Sequence, residues 1–324
     1  MFQDTKSQAV RTDAKTVKVV VVGVGSVGSA TAYTLLLSGI VSEIVLIDVN
    51  KDKAEGESMD LNHAAPSNTR SRAGEYPDCA GAAIVIVTCG INQKNGQTRM
   101  DLAAKNANIM LEIIPNVAKY APDTILLIAT NPVDVLTYIS YKASGFPLSR
   151  VIGSGTVLDT ARFKYILGEH FKISSDSIEA CVIGEHGDSG VPVWSLTNID
   201  GMKLRDYCEK ANHIFDQNAF HRIFEQTRDA AYDIIKRKGY TSYGIAVGLL
   251  RIVKAILEDT GSTLTVSTVG DYFGVEQIAI SVPTKLNRSG AHQVAELSLD
   301  EKEIELMEKS ASQIKSVIEH LEIN

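Results

Sequence analysis

The valine-rich run Val17–Val22, broken only by Lys18, ends in Gly23-Val24-Gly25-Ser26-Val27-Gly28. After it, Ala30, Leu35 and Leu36 recur at roughly helical spacing. A second apolar run, Ile44–Ile47, ends in Asp48, 25 residues beyond the first glycine. Few folds satisfy all of this: the pattern is strand, tight turn, helix, and a parallel strand carrying an acid at its C-terminal end. Gly23 is expected to permit the turn. Gly25 lets backbone N–H groups approach a pyrophosphate at the N-terminus of the helix that Ser26 and Val27 open, and Gly28 lets helix and strand pack closely. Asp48 is placed to accept from a ribose 2′-hydroxyl, and its negative charge disfavours a 2′-phosphate. The expected cofactor is therefore NAD, the alternative being a glycine turn with a chance acid.

Further apolar runs at Ile84–Thr88, Thr124–Ala129 and Val151–Ile152 alternate with helical stretches such as Met100–Lys119, which predicts an α/β fold with a doubly wound parallel (Rossmann) sheet. The second half changes character. Ser177–Ile183 followed by Val191–Leu196 reads as paired antiparallel strands. Two long amphipathic helices follow: Phe220–Lys238, with Ile223, Phe224, Thr227, Ala231 and Ile234 on one face, and Ile304–Ile323, with Met307, Ala311, Ile314, Ile318 and Leu321. Segment 264–285 is expected to add strand. The expected division is an N-terminal arm at 1–16, a cofactor domain at 17–155 and a second, α+β substrate domain at 156–324.

A net charge of −7 with scattered Lys and Arg offers no basic stripe, so nucleic acid is not an expected partner. No apolar run approaches the roughly 20 residues needed to cross a bilayer, so neither is a membrane. Residues 1–16 lack the features of a signal or transit peptide, and Cys79, Cys89, Cys181 and Cys208 show no C-x-x-C spacing. These features suit a cytoplasmic protein with reduced thiols and no metal site.

Gly184-Glu185-His186-Gly187-Asp188-Ser189 follows an apolar run, and Leu158-Asp159-Thr160-Ala161-Arg162 precedes it by about 25 positions. A histidine in a glycine-flanked polar turn is held rigidly yet exposed. Such an imidazole, titrating near neutrality, can take the proton of a hydroxyl as hydride leaves, or return it in reverse. Asp159 would fix the tautomer of His186 and favour its protonated form. Arg162, three residues on, shares the helix face and offers a planar fork to a substrate carboxylate. Without His186, this Asp–Arg pair would read equally well as a surface ion pair. Gly90–Arg99 reads as a loop over the cofactor crevice, able to bring Arg99 onto developing charge. In Asn131-Pro132-Val133-Asp134 the proline fits a tight turn from which Asn131 presents its amide.

GVGSVG, the loop ending in QTRMDL, NPVD, LDTAR and GEHGDS appear in order from Val17 onward, and on these motifs nearly the whole chain resembles the lactate/malate dehydrogenase family. The resemblance implies that Arg99 polarises a substrate carbonyl, Asn131 contacts substrate, Asp159 orients His186, and Arg162 binds the carboxylate. It also implies that Thr241 lines the pocket, that the Asn131–Pro132 peptide is cis, and that the chain is a homotetramer. Malate-specific members carry arginine six residues before the loop arginine, where this chain has Gln93. A neutral amide leaves a second carboxylate uncompensated, so pyruvate and L-lactate are the expected substrates, with malate or another 2-hydroxy acid as the alternative. Members activated by fructose 1,6-bisphosphate place a histidine where Glu179 stands and a basic residue where Lys164 stands; the basic residue is kept but the acid should repel the phosphates, so that activation is not expected here. A cofactor-binding sensor without catalysis would not need His186, Asp159 and Arg162 together.

Overall fold

The computed structural model of the chain describes residues 17–66, 68–91, 99–293 and 297–321. Among them, β1 (Lys18–Val22), β2 (Glu43–Ile47), β3 (Arg70–Ala73), β4 (Ile84–Val87), β5 (Ile125–Ile128) and β6 (Val151–Gly153) form a parallel sheet in the order β6-β5-β4-β1-β2-β3. The helices α1 (Ser26–Ser38), α2 (Lys51–Ala64), α3 (Arg99–Tyr120), α4 (Val133–Ser144) and α5 (Val157–Phe171) complete the alternation. Strand order reverses between β1 and β4, which opens a crevice at their C-terminal ends, where a doubly wound sheet binds its ligand.

The strands are apolar at nearly every position because both faces are covered. Val19, Val21, Ile84 and Ile86 enter one core layer, and Val20, Val22, Val85 and Val87 enter the layer on the opposite face. β3 is the exception and has no apolar run to announce it. It is an edge strand of sequence RSRA in which Ser71 alone is buried, so pairing with β2, not side-chain packing, defines it.

The antiparallel pairing expected of Ser177–Ile183 and Val191–Leu196 is present in part: Val182–Ile183 pairs with Val191–Pro192, but Ile178–Glu179 is a separate strand of another small sheet and pairs with Asn198–Ile199. The strands Thr263–Tyr272, Val275–Asn287 and Gly290–Gln293 extend the first sheet itself. Ser267 pairs antiparallel with Gly153 and Thr268 with Ile152, so β6 is flanked on both sides and the sheet grows to nine strands. The long helices run over Gln217–Lys238 and Glu301–His320. In the first, Ile223 and Thr227 are buried as expected, but Ile234 is 38% exposed, because the helix outruns the core beneath it.

Candidate active site

The glycine turn after β1 is built by contacts only glycine allows at two of its positions. Gly23 has φ of 93°, and a Cβ there would lie 2.6 Å from the Cys89 backbone. A Cβ on Gly28 would come within 1.9 Å of the Gly23 carbonyl oxygen. Gly25 differs: nothing lies within 4 Å of its Cβ position, so the backbone that opens α1 at Ser26 and Val27 faces free space. The turn is tied to β4 by Thr88, whose Oγ1 donates to the Gly23 carbonyl at 2.6 Å. Asp48 Oδ2 accepts from the Val24 N–H at 2.7 Å and Oδ1 from the Asn50 N–H at 2.9 Å, which fixes the carboxylate at the mouth of the crevice. The crevice, of about 400 Å³, is lined by Gly23, Asp48, Tyr76, Cys89 and Tyr120 among others. Open backbone at a helix N-terminus beside an anchored acid fits a dinucleotide.

The catalytic candidates converge on α5. Its Phe163, Leu167 and Phe171 are buried in a core of their own with Ile178, Val182 and Phe220, which anchors the helix, while Asp159 and Arg162, three residues apart in its first turns, meet each other. Asp159 Oδ2 lies 2.5 Å from His186 Nδ1, and its other oxygen accepts from Arg162 Nη1 at 3.3 Å. The side chains of His186, Asp159 and Arg162 keep 22%, 14% and 12% of their surface exposed, enough to meet a small ligand in a water-poor place. Burial favours the neutral imidazole, but the Asp159 carboxylate outweighs it and holds the His186 pKa above its ordinary value. Burial likewise opposes charge on Asp159, yet His186 and Arg162 hold its carboxyl below the usual range. Among the described residues His186 Nε2 has no hydrogen-bond partner, which leaves that nitrogen for a ligand.

The turn carrying His186 is fastened along its length. Gly184 and Ser281 exchange backbone hydrogen bonds of 2.8 and 3.1 Å. The His186 N–H donates to Asp134 Oδ2 at 2.7 Å, while the Ser267 hydroxyl donates to Asp134 Oδ1 at 2.6 Å. Asp134 is almost wholly buried, and this burial pushes its pKa up to about 6 against the pull of those donors. The acid of the NPVD motif thus holds the catalytic candidate's backbone, a role the sequence reading missed by crediting only Asn131. The available signal was an acid in the first turn of a helix that follows a functional turn.

Asn131 is exposed beside Asp134, its carbonyl accepting from Asn106 Nδ2 at 2.8 Å, and the Asn131–Pro132 peptide is cis. Thr241 lies between the helices Gln217–Lys238 and Tyr243–Leu257. There Gly244 sits against Leu158, with a Cβ position 2.8 Å from Leu158 Cδ1, so the segment abuts the first turn of α5. Arg99 is the first residue of α3, and Gln93 lies outside the described residues. Lys164 and Glu179 line one cavity of about 380 Å³ with Arg251 beyond α5. Among the described residues there is no His, Cys, Asp and Glu cluster suited to a metal, and no helix long and apolar enough to cross a membrane.

Residues 17–153 match the family model of the lactate/malate dehydrogenase NAD binding domain, and residues 156–323 match that of its alpha/beta C-terminal domain. A Schizosaccharomyces pombe protein described as "Probable L-lactate dehydrogenase" is 51% identical over 312 residues, which is 96% of this chain and 94% of that protein. The L-lactate dehydrogenase of Acetivibrio thermocellus is 49% identical over 310 residues, 94% of this chain and 98% of that one. Among solved structures, a lactate dehydrogenase enzyme from a Medee basin deep-sea metagenome library superposes with a TM-score of 0.91 at 40% identity, covering 95% of this chain and 99% of its own. With both halves matched in order and relatives near one-half identity over almost the full length, the chain belongs to the lactate/malate dehydrogenase family.

Proposed function

We propose that the chain is an L-lactate dehydrogenase catalysing the reversible, NADH-dependent reduction of pyruvate. The observation that carries this reading is the single carboxylate of Asp159 shared between His186 Nδ1 at 2.5 Å and Arg162 Nη1 at 3.3 Å. The backbone of Gly23, Gly25, Ser26, Val27 and Gly28 and the carboxylate of Asp48 would hold NADH in the crevice, and the bound cofactor would supply the hydride. Arg162 binds the carboxylate of the keto acid through its planar fork. Arg99 polarises the carbonyl, with Asn131 and Thr241 completing the pocket. His186 delivers a proton from Nε2 to the carbonyl oxygen, and in lactate oxidation takes it back. Asp159 keeps the imidazole in the required tautomer and stabilises its charged form. Residues 17–155 hold the cofactor and 156–324 the substrate; the arm expected at 1–16 lies outside the described residues.

The curated relatives named above are lactate dehydrogenases, and Gln93 argues for the same preference. Steady-state NADH oxidation with pyruvate and oxaloacetate side by side tests it. The expected kcat/KM ratio favours pyruvate by at least about a hundredfold, with Gln93→Arg moving preference toward oxaloacetate. Preference of the unmodified protein for oxaloacetate would reject the assignment. The setting we propose is the cytoplasm, with the reaction returning NAD to glycolysis. That setting suits the free thiols of Cys79, Cys89, Cys181 and Cys208. The assembly we propose is a homotetramer. Tyr33 and Leu37 on α1, and Tyr243 and Val247 on the helix packed against it, are exposed apolar side chains suited to burial against a second copy.

A further inference from the structure

The C-terminal helix Glu301–His320 stands directly behind the His186 turn. Ser310 is fully buried on it. Its Oγ accepts from the Glu185 N–H at 2.9 Å and lies 3.1 Å from Ser189 Oγ, while the Ser189 hydroxyl also donates to the Glu185 carboxylate. A Cβ on Gly184 would meet Ser310 Oγ at 2.9 Å, so this hydroxyl occupies the space glycine leaves. One side chain therefore contacts the turn before His186 and after it. The helix that presents Ser310 is itself locked in register. Glu303, two turns earlier on the same face, is buried and accepts from the Ser195 N–H at 2.9 Å and the Ser195 hydroxyl at 2.5 Å.

A hydroxyl among Met307, Ala311, Ile314 and Ile318 loses hydration with nothing in return from its own helix. Its partner is the backbone of the turn instead. We infer that Ser310 is a positioning residue for His186, holding the Glu185 amide so that the imidazole meets Asp159. The inference rests on the proposed role of His186 in acid–base catalysis and deepens it. Among the described residues the charged groups acting on His186 are Asp159 and Arg162 on α5 and Asp134 on α4, while Glu185 in the turn acts on Asp134.

If the Glu185 N–H loses its acceptor, the turn relaxes and the imidazole–carboxylate contact lengthens. Asp159 raises the proton affinity of His186, so that affinity then falls. Pyruvate reduction needs the protonated imidazole and declines as pH rises through its pKa. The decline in Ser310→Ala is therefore expected at a pH lower by about half a unit to one unit. The accompanying loss of kcat/KM near neutrality is roughly tenfold, with NADH affinity unchanged. Ser310→Thr, which keeps the acceptor, restores the profile, and Ser312→Ala, on the exposed side of the same helix, leaves it alone.

Ser189→Ala removes the other hydroxyl of the network, with a smaller shift in the same direction, and decides the matter if Ser310→Ala does not fold. Histidine titration by NMR on labelled protein reads the imidazole directly, independent of turnover. Lack of turnover in the unmodified protein would reject the proposed function alone. Unmoved His186 titration in a folded Ser310→Ala, or in Ser189→Ala where Ser310→Ala does not fold, would overturn the role of Ser310, whatever the melting temperatures.

Discussion

His186 meets two carboxylates, one on its ring and one on its backbone, and their surroundings differ. Asp159 has Arg162 beside it; Asp134 is compensated by hydroxyls and one N–H. Because burial raises Asp134 to about 6 from a reference near 3.8, the protonated form stabilises the fold below that reference, and this contribution is lost as pH rises through about 6. Asp134→Asn removes the cost of a buried charge at neutral pH while keeping an acceptor for the His186 N–H. Its melting temperature relative to the unmodified protein should therefore rise between pH 4 and pH 7.5. Asp134→Ala, which orphans that N–H, should instead lose stability at every pH, by about 1–3 kcal/mol. Equal displacement of the Asn variant at both ends of the range would show that Asp134 is not the titrating group. At this scale the sequence discloses chemistry better than support. His186, Asp159 and Arg162 are recognisable because their side chains suit the reaction. Asp134 and Ser310 act through backbone amides, and nothing in a lone acid after proline or a serine on an apolar helix face identifies the amide it will meet.

The turn between β1 and α1 was legible because its constraints are local: three glycines within six residues, each with a separate reason. Those reasons can be separated by experiment. Gly25→Ala adds a methyl group into open space at a φ of −70°, so the fold should keep its stability to within about 0.5 kcal/mol. NADH affinity, read by fluorescence titration, should fall at least about tenfold, since the methyl stands where backbone must approach the pyrophosphate. Gly28→Ala drives a methyl into the Gly23 carbonyl and should lower the melting temperature as well as abolish binding. Undiminished NADH affinity in Gly25→Ala would place the pyrophosphate elsewhere. Elements defined by partners were harder to read. β3 has no hydrophobic signal because it lies at an edge. The final turns of Gln217–Lys238 follow helical periodicity that the core beneath does not match, which is why Ile234 is exposed.

At the scale of the whole molecule, exposed apolar side chains are scattered over many elements, and those on α1 and the helix packed against it, Tyr243–Leu257, include Tyr33, Leu37, Tyr243 and Val247. Spaced four apart on their helices, Tyr33 with Leu37 and Tyr243 with Val247 form continuous stripes rather than isolated exceptions. Light scattering should return a mass four times that of one 35.0 kDa chain. Leu37→Glu combined with Val247→Glu should reduce it. A concentration-independent monomer would rule out the assembly. Alternation over residues 264–285 indicates strand but not where that strand joins. Antiparallel pairing with β6 depends on chain segments more than 100 residues apart, and no local pattern records it. That pairing also bears on modularity. The chain connection near residue 155 is a misleading place to cut, because a fragment ending there would bare one side of β6, a template for self-association. Exchanging halves between relatives is an operation on one shared sheet. The seam to match is the pair of rungs joining Gly153 to Ser267 and Ile152 to Thr268.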